Sequence, residues 1–395
     1  MAEKKKKHPF KSLIYKLGMG LVKFINLFVW KYKRLNKYKI KKGETCIVIC
    51  NHQAFLDPMF VLMSFNKPLH CVATDNLLAG KFNRAFYGKF LGVIPKRKGT
   101  SDIKATAKML KVVEDGESIL FFPEGNRAYA EFQFYIADSF AKFIKMFKST
   151  LIIYNIHGGT GTNPRWGHKK RKGRFEGGVK KVIKYSDYQD IPDEQLNEFI
   201  KESLKVFDSD SGKKYKSNKR AEYLERLLYV CPKCHSVSSL YSKKNYLYCH
   251  NCDLKVEYTE DLHLKSDDPS FSFEILNDWY QFQSNYMKQL ELPKGEIFHD
   301  PYGVLKVANA YSKAEVIDKG EVILTDDELK VGSTTFKVKD ISSASPVSGT
   351  ILQFSIGEQG YTIKGHDRFN PVKYTQILSK LDTVFKDKGD PYYGL

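Results

Sequence analysis

The chain has 395 residues, 42% of them hydrophobic, and a formal net charge of +19. That length argues for two or three domains, and that apolar content excludes a disordered chain. The seven cysteines form no secreted disulfide framework, so a reducing cytosol is expected.

The charge is unevenly placed. Residues 1–42 hold fourteen lysines or arginines against one acid, Glu3. Such concentration points to an anionic surface, either membrane or nucleic acid. Lys4 to Lys7 form a basic tip, and LIYKLGMGLVKFINLFVW follows at 13–30. No small-residue cleavage site comes after this stretch, so a secretory signal is not expected. Lys16 and Lys23 interrupt it, which argues against a membrane span. At helical spacing Lys16, Gly20 and Lys23 share one stripe, and Leu17, Leu21, Phe24 and Phe28 share another. The pattern predicts an amphipathic helix lying in the bilayer interface, with Trp30 and Tyr32 at headgroup depth. Arg34 and the neighbouring lysines would meet anionic phosphates. The competing reading is an amphipathic helix packed on the protein's own core. Residues 1–42 are therefore expected to associate peripherally or monotopically with the cytoplasmic face of a membrane.

Residues 43–210 read as an α/β domain with a mixed central sheet. Cys46-Ile47-Val48-Ile49-Cys50 is short and largely β-branched, hence a buried strand. It breaks at Asn51-His52. Asp57-Pro58 then reads as a helix start, with Asp at the cap and Pro at the first helical position. His52 thus sits at a strand end and Asp57 at the mouth of the next helix, where open α/β sheets hold ligands. A histidine whose tautomer is fixed by a carboxylate can act as a base. An N-cap aspartate beside an ordinary loop histidine is the bland alternative.

Further along, 58–65 is a short helix, 69–73 a strand, 83–91 helical and 101–114 a helix capped by Ser101 or Asp102. Ser118 to Phe122 is another strand, leading into Phe121-Phe122-Pro123-Glu124-Gly125-Asn126-Arg127. Gly125 permits a tight turn beside a ligand. A helix runs to Phe147, and 151–156 is a strand that ends at His157-Gly158-Gly159-Thr160-Gly161. His157 reads as a satisfied structural histidine, and the glycine turn is a weak phosphate motif. Arg165 to Arg174 is strongly basic, with Lys169, Lys170, Arg171 and Lys172 consecutive; contact with lipid headgroups or a nucleotide donor's phosphates is one reading, and a solvated loop is the default. Residues 179–185 form a last strand and 193–207 a last helix. SDSGKKYKSNKR then opens a linker, placed at 211–228.

Cys231-Pro232-Lys233-Cys234 and Cys249-His250-Asn251-Cys252 stand fourteen residues apart. Four cysteines at this spacing, Cys231, Cys234, Cys249 and Cys252, predict a closed structural zinc site of the ribbon kind at 229–262. No catalytic metal is expected. From about 270 to 395, short alternating runs at 303–307, 314–317, 320–325, 328–331, 334–338, 351–355 and 361–364 precede an amphipathic helix at 370–385. Seven strands and a closing helix suggest a pleckstrin-homology-like barrel.

The NHQAFLD and FPEGNR boxes, in that order, resemble the lysophosphatidic acid acyltransferase family of glycerophospholipid acyltransferases. Asn126 and Ala128 depart from that family's pattern, where Thr and Ser are usual. The resemblance implies transfer of a fatty acyl group from acyl-CoA or acyl carrier protein to the sn-2 hydroxyl of lysophosphatidic acid. It implies His52 as the base and Asp57 as its partner. Arg127 would clamp the acceptor phosphate. Glu124 would orient the glycerol or brace the loop. Arg97, with Lys96 or Lys98 as substitutes, matches a basic position that helps hold phosphate, a role suited to a planar guanidinium. Another lysophospholipid or glycerol 3-phosphate is an alternative acceptor. From a different class, the zinc ribbon and the charge allow a nucleic-acid-binding protein. Against that reading, the charge gathers at the amphipathic N-terminus and the two boxes would have no role, so nucleic acid is not the expected partner. A scaffold whose C-terminal modules do the work is a third reading.

Overall fold

The computed structural model describes residues 9–78, 80, 83–90, 92–96, 103–131, 133, 136–308, 314–357 and 359–381. The chain divides into two compact units. The first comprises Met1–Pro123, Ile136–Ile156 and Phe175–Lys205. Its sheet contains β1 (Lys33–Arg34), β2 (Cys46–Cys50), β3 (Leu69–Thr74), β4 (Ile94–Lys96), β5 (Ser118–Phe121), β6 (Thr150–His157) and β7 (Glu176–Ile183). They stand in the order β1-β7-β6-β2-β5-β3-β4. The pairs β1–β7, β6–β2, β2–β5, β5–β3 and β3–β4 run parallel.

The pleat of β2 explains its unbroken apolar run. Cys46, Val48 and Cys50 enter one core and Ile47 and Ile49 the other, so both faces are covered. On the first face lie α1 (Pro9–Ile25) and α2 (Asp57–Leu62), through Met19, Phe60, Val61 and Leu62. On the second lie α3 (Ile103–Glu114), α4 (Phe140–Lys145) and α5 (Asp193–Leu204), through Ala105, Met109, Phe140, Ile144, Leu196 and Ile200.

Helix α1 packs one side on the core and leaves another exposed. Met19 is buried and Tyr15 and Val22 pack on the core, whereas Leu17, Leu21 and Phe24, with Phe28 in the π-helical turn Asn26–Trp30 that follows, are 60–67% exposed. Among the described residues, no helix is long and apolar enough to cross a membrane. The segment 83–91 adopts a π-helical turn, Arg84–Phe90. Ser101, Asp102, and the last residues of the helix expected at 370–385, from 382 on, lie outside the described residues.

The second unit comprises Glu124–Tyr135, His157–Arg174 and Val206–Leu395. A small antiparallel sheet is formed by β8 (Leu240–Lys243), β9 (Tyr246–Cys249), β10 (Lys255–Tyr258) and β11 (Leu264–Lys265). After α6 (Leu276–Gln289) come β12 (Glu296–Ala308), β13 (Glu315–Thr325), β14 (Glu328–Val331), β15 (Thr334–Lys337), β16 (Ile341–Ser348), β17 (Ile351–Ile356) and β18 (Gln359–Gly365). Every neighbouring pair is antiparallel, in the order β15-β14-β13-β12-β18-β17-β16. The closing helix α7 (Pro371–Leu381) shares a core with this sheet through Tyr374, Ile377 and Leu378.

Seven strands were expected there, but not these seven. The runs 314–317 and 320–325 are one strand, β13. Strand β16 was not expected, because ISSASPVS carries no clean alternation. It pairs on one side only, and its register shifts between Pro346 and Ser348, as suits a proline in an edge strand. Helix α6 was also not expected, although Leu276, Trp279, Tyr280, Gln283 and Met287 give it a buried face at helical spacing.

The stretch read as a linker, 211–228, buries Tyr215, Ala221, Leu224, Leu227 and Leu228. The Tyr215 ring sits so close to Gly161 and Gly173 that a Cβ would approach it to 2.5 and 2.3 Å. Lysines and serines around these anchors disguise a core segment as a linker. Arg171, in the basic run, is likewise buried, donating to the Arg220 carbonyl at 2.6 Å and lying over the Trp166 and Tyr258 rings.

The glycine turn after β6 already holds an internal anion. Asp208 accepts from Gly158 N at 2.6 Å, Gly161 N at 3.0 Å and Thr160 Oγ1 at 2.6 Å. Next to it, Glu131 Oε1 accepts from Ser209 N at 2.8 Å, while buried Oε2 has no partner among the described residues. Burial, and then the Asp208 charge, push the Glu131 carboxyl up to about 8 from its ordinary 4.5. Between those pH values the folded chain keeps a proton that the unfolded chain has released, so stability falls as pH rises through that window. Glu131→Gln keeps the Oε1 acceptor and cannot ionise. It is expected to flatten this decline, with a higher urea midpoint than wild type at pH 8 and a smaller difference at pH 5. Equal midpoints at pH 8 would show that the carboxyl is not held neutral.

Candidate active site

Strands β2 and β5 are adjacent and parallel, with Ile49 opposite Phe121. The two sequence boxes therefore leave neighbouring strands at the same level. The His52 ring lies against Phe122 of the second box, with centroids 4.3 Å apart and planes 32° apart.

Asp57 is fully buried, and three donors converge on its Oδ2: His52 Nδ1 at 2.9 Å, Gln53 N at 2.6 Å and Ala54 N at 2.8 Å. It is not the N-cap that was expected. Leu56 occupies that position, Asp57 lies in the first turn, and its carboxyl reaches back to the loop it follows. The two backbone donors fix the carboxylate independently of the histidine, and charge-assisted bonds of this kind are the strong ones. Because the carboxylate faces Nδ1, a neutral imidazole carries its proton there and presents a lone pair at Nε2. His52 keeps 18% of its side chain exposed.

Two further residues shape the sheet without a signal strong enough to be read from one sequence, Asn51 at the His52 end and His70 near the opposite, N-terminal end of β3. Asn51 donates through Nδ2 to the Ile156 carbonyl at 2.9 Å and accepts from Ile156 N at 2.8 Å through Oδ1. It joins the ends of β2 and β6 and fixes the backbone immediately before His52. His70 donates through Nδ1 to the Gly92 carbonyl at 2.8 Å. Gly92 has a φ of +65°, and a Cβ there would come within 2.5 Å of the His70 ring. Only glycine fits, and the turn launches β4, which ends at Lys96 opposite Thr74. Arg97 and Lys98 lie outside the described residues.

The second box is divided between the units. Phe121, Phe122 and Pro123 belong to the first, and Glu124, Gly125, Asn126 and Arg127 to the second. Glu124 is buried, Gly125 takes a φ of +60°, and Arg127 is half-buried. The Arg127 N–H donates to Asn126 Oδ1 at 3.0 Å, and Arg165 donates to the Arg127 carbonyl.

Farther along the second unit, Cys231, Cys234, Cys249 and Cys252 present Sγ atoms that all lie within 4.8 Å of one another. Cys231 and Cys252 are 3.6 Å apart, and Cys234 and Cys249 3.7 Å. Sulfurs at the usual ~2.3 Å from a tetrahedral zinc stand about 3.8 Å from each other, so the four residues fit such an ion.

Residues 32–191, which contain both boxes, match the family model described as "Acyltransferase". Among solved structures, the chain is similar to the 1-acyl-sn-glycerophosphate (LPA) acyltransferase PlsC from Thermotoga maritima. The identity is 15% and the TM-score 0.42, over 49% of this chain and 78% of that one. No curated protein matches the chain.

Proposed function

Because residues 32–191 belong to the acyltransferase family, we propose that this chain transfers a fatty acyl group from a thioester carrier, acyl-CoA or acyl carrier protein, to the sn-2 hydroxyl of lysophosphatidic acid. The observation that carries the reading is the His52–Asp57 pair, with its carboxylate buried and held by two backbone N–H groups. Nε2 of His52 takes the proton of the acceptor hydroxyl as that oxygen attacks the thioester carbonyl. Asp57 holds the tautomer and stabilises the imidazolium. The tetrahedral intermediate collapses with cleavage of the C–S bond, and the imidazolium returns its proton to the leaving thiolate. Transfer is direct, with no acyl-enzyme. Arg127, Glu124 and Gly125 are assigned to the acceptor's phosphoglycerol end, with Arg97 as a further phosphate contact.

The exposed stripe of α1 and of the π-helical turn after it supports membrane attachment. Leu17, Leu21, Phe24 and Phe28 face outward on a segment dense in lysine, and such a helix lies in an anionic interface. The four-cysteine cluster supports a structural zinc, which closes the ribbon and leaves no open coordination position. Strand order and the closing helix support reading 270–395 as a pleckstrin-homology-like barrel.

Three outcomes are expected. His52→Ala should lower acyl transfer from acyl-CoA to lysophosphatidic acid by roughly 10²–10⁴, the range for a positioned base, with an unchanged far-ultraviolet spectrum; a folded variant with normal turnover removes the base assignment. Purified protein should carry one zinc per chain by elemental analysis, lost in the Cys234→Ser/Cys249→Ser double variant, and a folded metal-free wild type would discard the ion. Phe24→Ser/Phe28→Ser should weaken co-sedimentation with phosphatidylglycerol vesicles by roughly tenfold or more, given the apolar area removed; unchanged binding would leave α1 with no role at the bilayer.

A further inference from the structure

Arg165 is a buried cation without an anion. Its Nη1 donates to the Arg127 carbonyl and, at 3.2 Å, to Asn126 Oδ1, and its Nη2 donates to the Pro346 carbonyl of β16 at 3.2 Å. Its Nε is buried and has no partner among the described residues. The guanidinium lies 5.4 Å from the centre of the Tyr129 ring. Among the described residues no carboxylate pairs with it. The ionic neighbour that bears on it is Arg127, a like charge. Burial first, and then Arg127, pull its pKa down to about 9, so it remains charged at neutral pH.

Around this cation three segments are stitched together. Asn126 Nδ2 donates to the Pro346 carbonyl at 3.3 Å, Tyr129 Oη donates to the Gly349 carbonyl at 2.6 Å, and Gly349 N donates to the Arg165 carbonyl at 2.9 Å. The acceptors of Arg165 are neutral oxygens. A neutral amide could serve them without the cost of burying a charge beside another of the same sign. The uncompensated charge is therefore the feature to explain, and an anion brought by a ligand would compensate it.

We propose that Arg165 is a positioning residue for Arg127, and that the turn between β16 and β17 is part of the same device. Arg165 holds the Arg127 main chain by its carbonyl and adds a second positive charge within electrostatic reach of it. The pair then favours a phosphate monoester over an uncharged acceptor. Asn126, which stands where the resembled family usually has threonine, links Arg165 to β16. The proposal rests on the acyl-transfer reading of Arg127 and goes beyond it, because it assigns acceptor charge selection to a residue outside both boxes and to a hairpin of the C-terminal sheet.

The decisive variant is Asn126→Asp. It keeps the oxygen that Arg165 bonds, gives up the Nδ2 donor to the Pro346 carbonyl, and supplies a carboxylate that neutralises the site from within. The measurements are steady-state transfer to lysophosphatidic acid and to its unphosphorylated counterpart, monoacylglycerol, and thermal protection by inorganic phosphate against chloride at equal ionic strength. Asn126→Asp and Arg165→Met should each raise KM for lysophosphatidic acid by roughly tenfold or more, the scale of one charge-assisted hydrogen bond. They should change kcat much less, leave KM for monoacylglycerol unaltered and abolish phosphate protection. Arg165→Lys should restore part of both effects. If Arg165 is only structural, Asn126→Asp will be as stable as wild type or more so and keep the wild-type preference for the phosphorylated acceptor, which overturns the proposal while transfer itself stands. If Arg165→Met fails to fold, Asn126→Asp alone decides. If the wild type transfers no acyl group to any acceptor, yet phosphate protects it and the His52→Ala variant but not Asn126→Asp, the acyl-transfer reading falls and the anion site stands.

Discussion

The first unit is organised around a buried carboxylate. Asp57 has no exposed surface, and an isolated charge in such a place would be prohibitive. The chain meets one of its oxygens, Oδ2, with its own loop, while Oδ1 has no partner among the described residues. The N–H groups of Gln53 and Ala54 turn inward to one oxygen, and the His52 ring completes the set. The loop from 51 to 56 is thereby wound about Asp57, and the ring of His52 has its Nδ1 side committed. A histidine merely exposed on a loop would rotate among several orientations. This one is held on its Nδ1 side by the carboxylate and on a face by Phe122, which leaves the other ring nitrogen to define a direction.

What brings those groups together is the sheet. In β2 both faces are buried, so a slip of one residue would exchange the cysteine–valine face for the isoleucine face and disturb two cores at once. The register Ile49 to Phe121 is strongly specified for that reason, and with it the meeting of His52 and Phe122. Asn51 adds a lock on the other flank, because its amide bonds both main-chain groups of Ile156 and joins β2 to β6 at the same end. Residues seventy or a hundred positions apart in the chain are thus placed by strand pairing.

The sequence made some of this plain and concealed the rest for identifiable physical reasons. The apolar run of β2 and the Asp-Pro helix start are local signals, and both elements form where expected. The pairing of His52 with Asp57 was inferable from spacing. The way Asp57 is held was not, because its backbone donors belong to no residue type. Asn51 looked like part of a motif rather than a staple, since its partner lies on a strand no local pattern connects to it. In the second unit, β16 was hidden by serines and a proline, which an edge strand tolerates. The segment 211–228 was hidden by lysines that surround Tyr215 and its glycine contacts. Arg165 opened a basic stretch that reads by default as solvated, because the burial of one arginine among charged neighbours leaves no mark in the sequence.

The division of the second box bears on why the C-terminal modules belong to this chain. Its apolar half, Phe121 to Pro123, lies in the first unit and supplies the ring against His52. Its polar half, Glu124 to Arg127, lies in the second, where Asn126 and Arg165 bind it to Pro346. An enzyme domain that ended before the zinc cluster would keep the strand and lose those partners. The carbonyls that surround Arg165 come from the box itself and from β16, and Tyr129 is closed over by Gly349. Removing the hairpin would therefore leave a guanidinium with fewer acceptors than it needs in a site that water does not freely enter. The seven-stranded C-terminal sheet is therefore more than an appended module, because part of the backbone that carries Arg127 is completed by its edge strand.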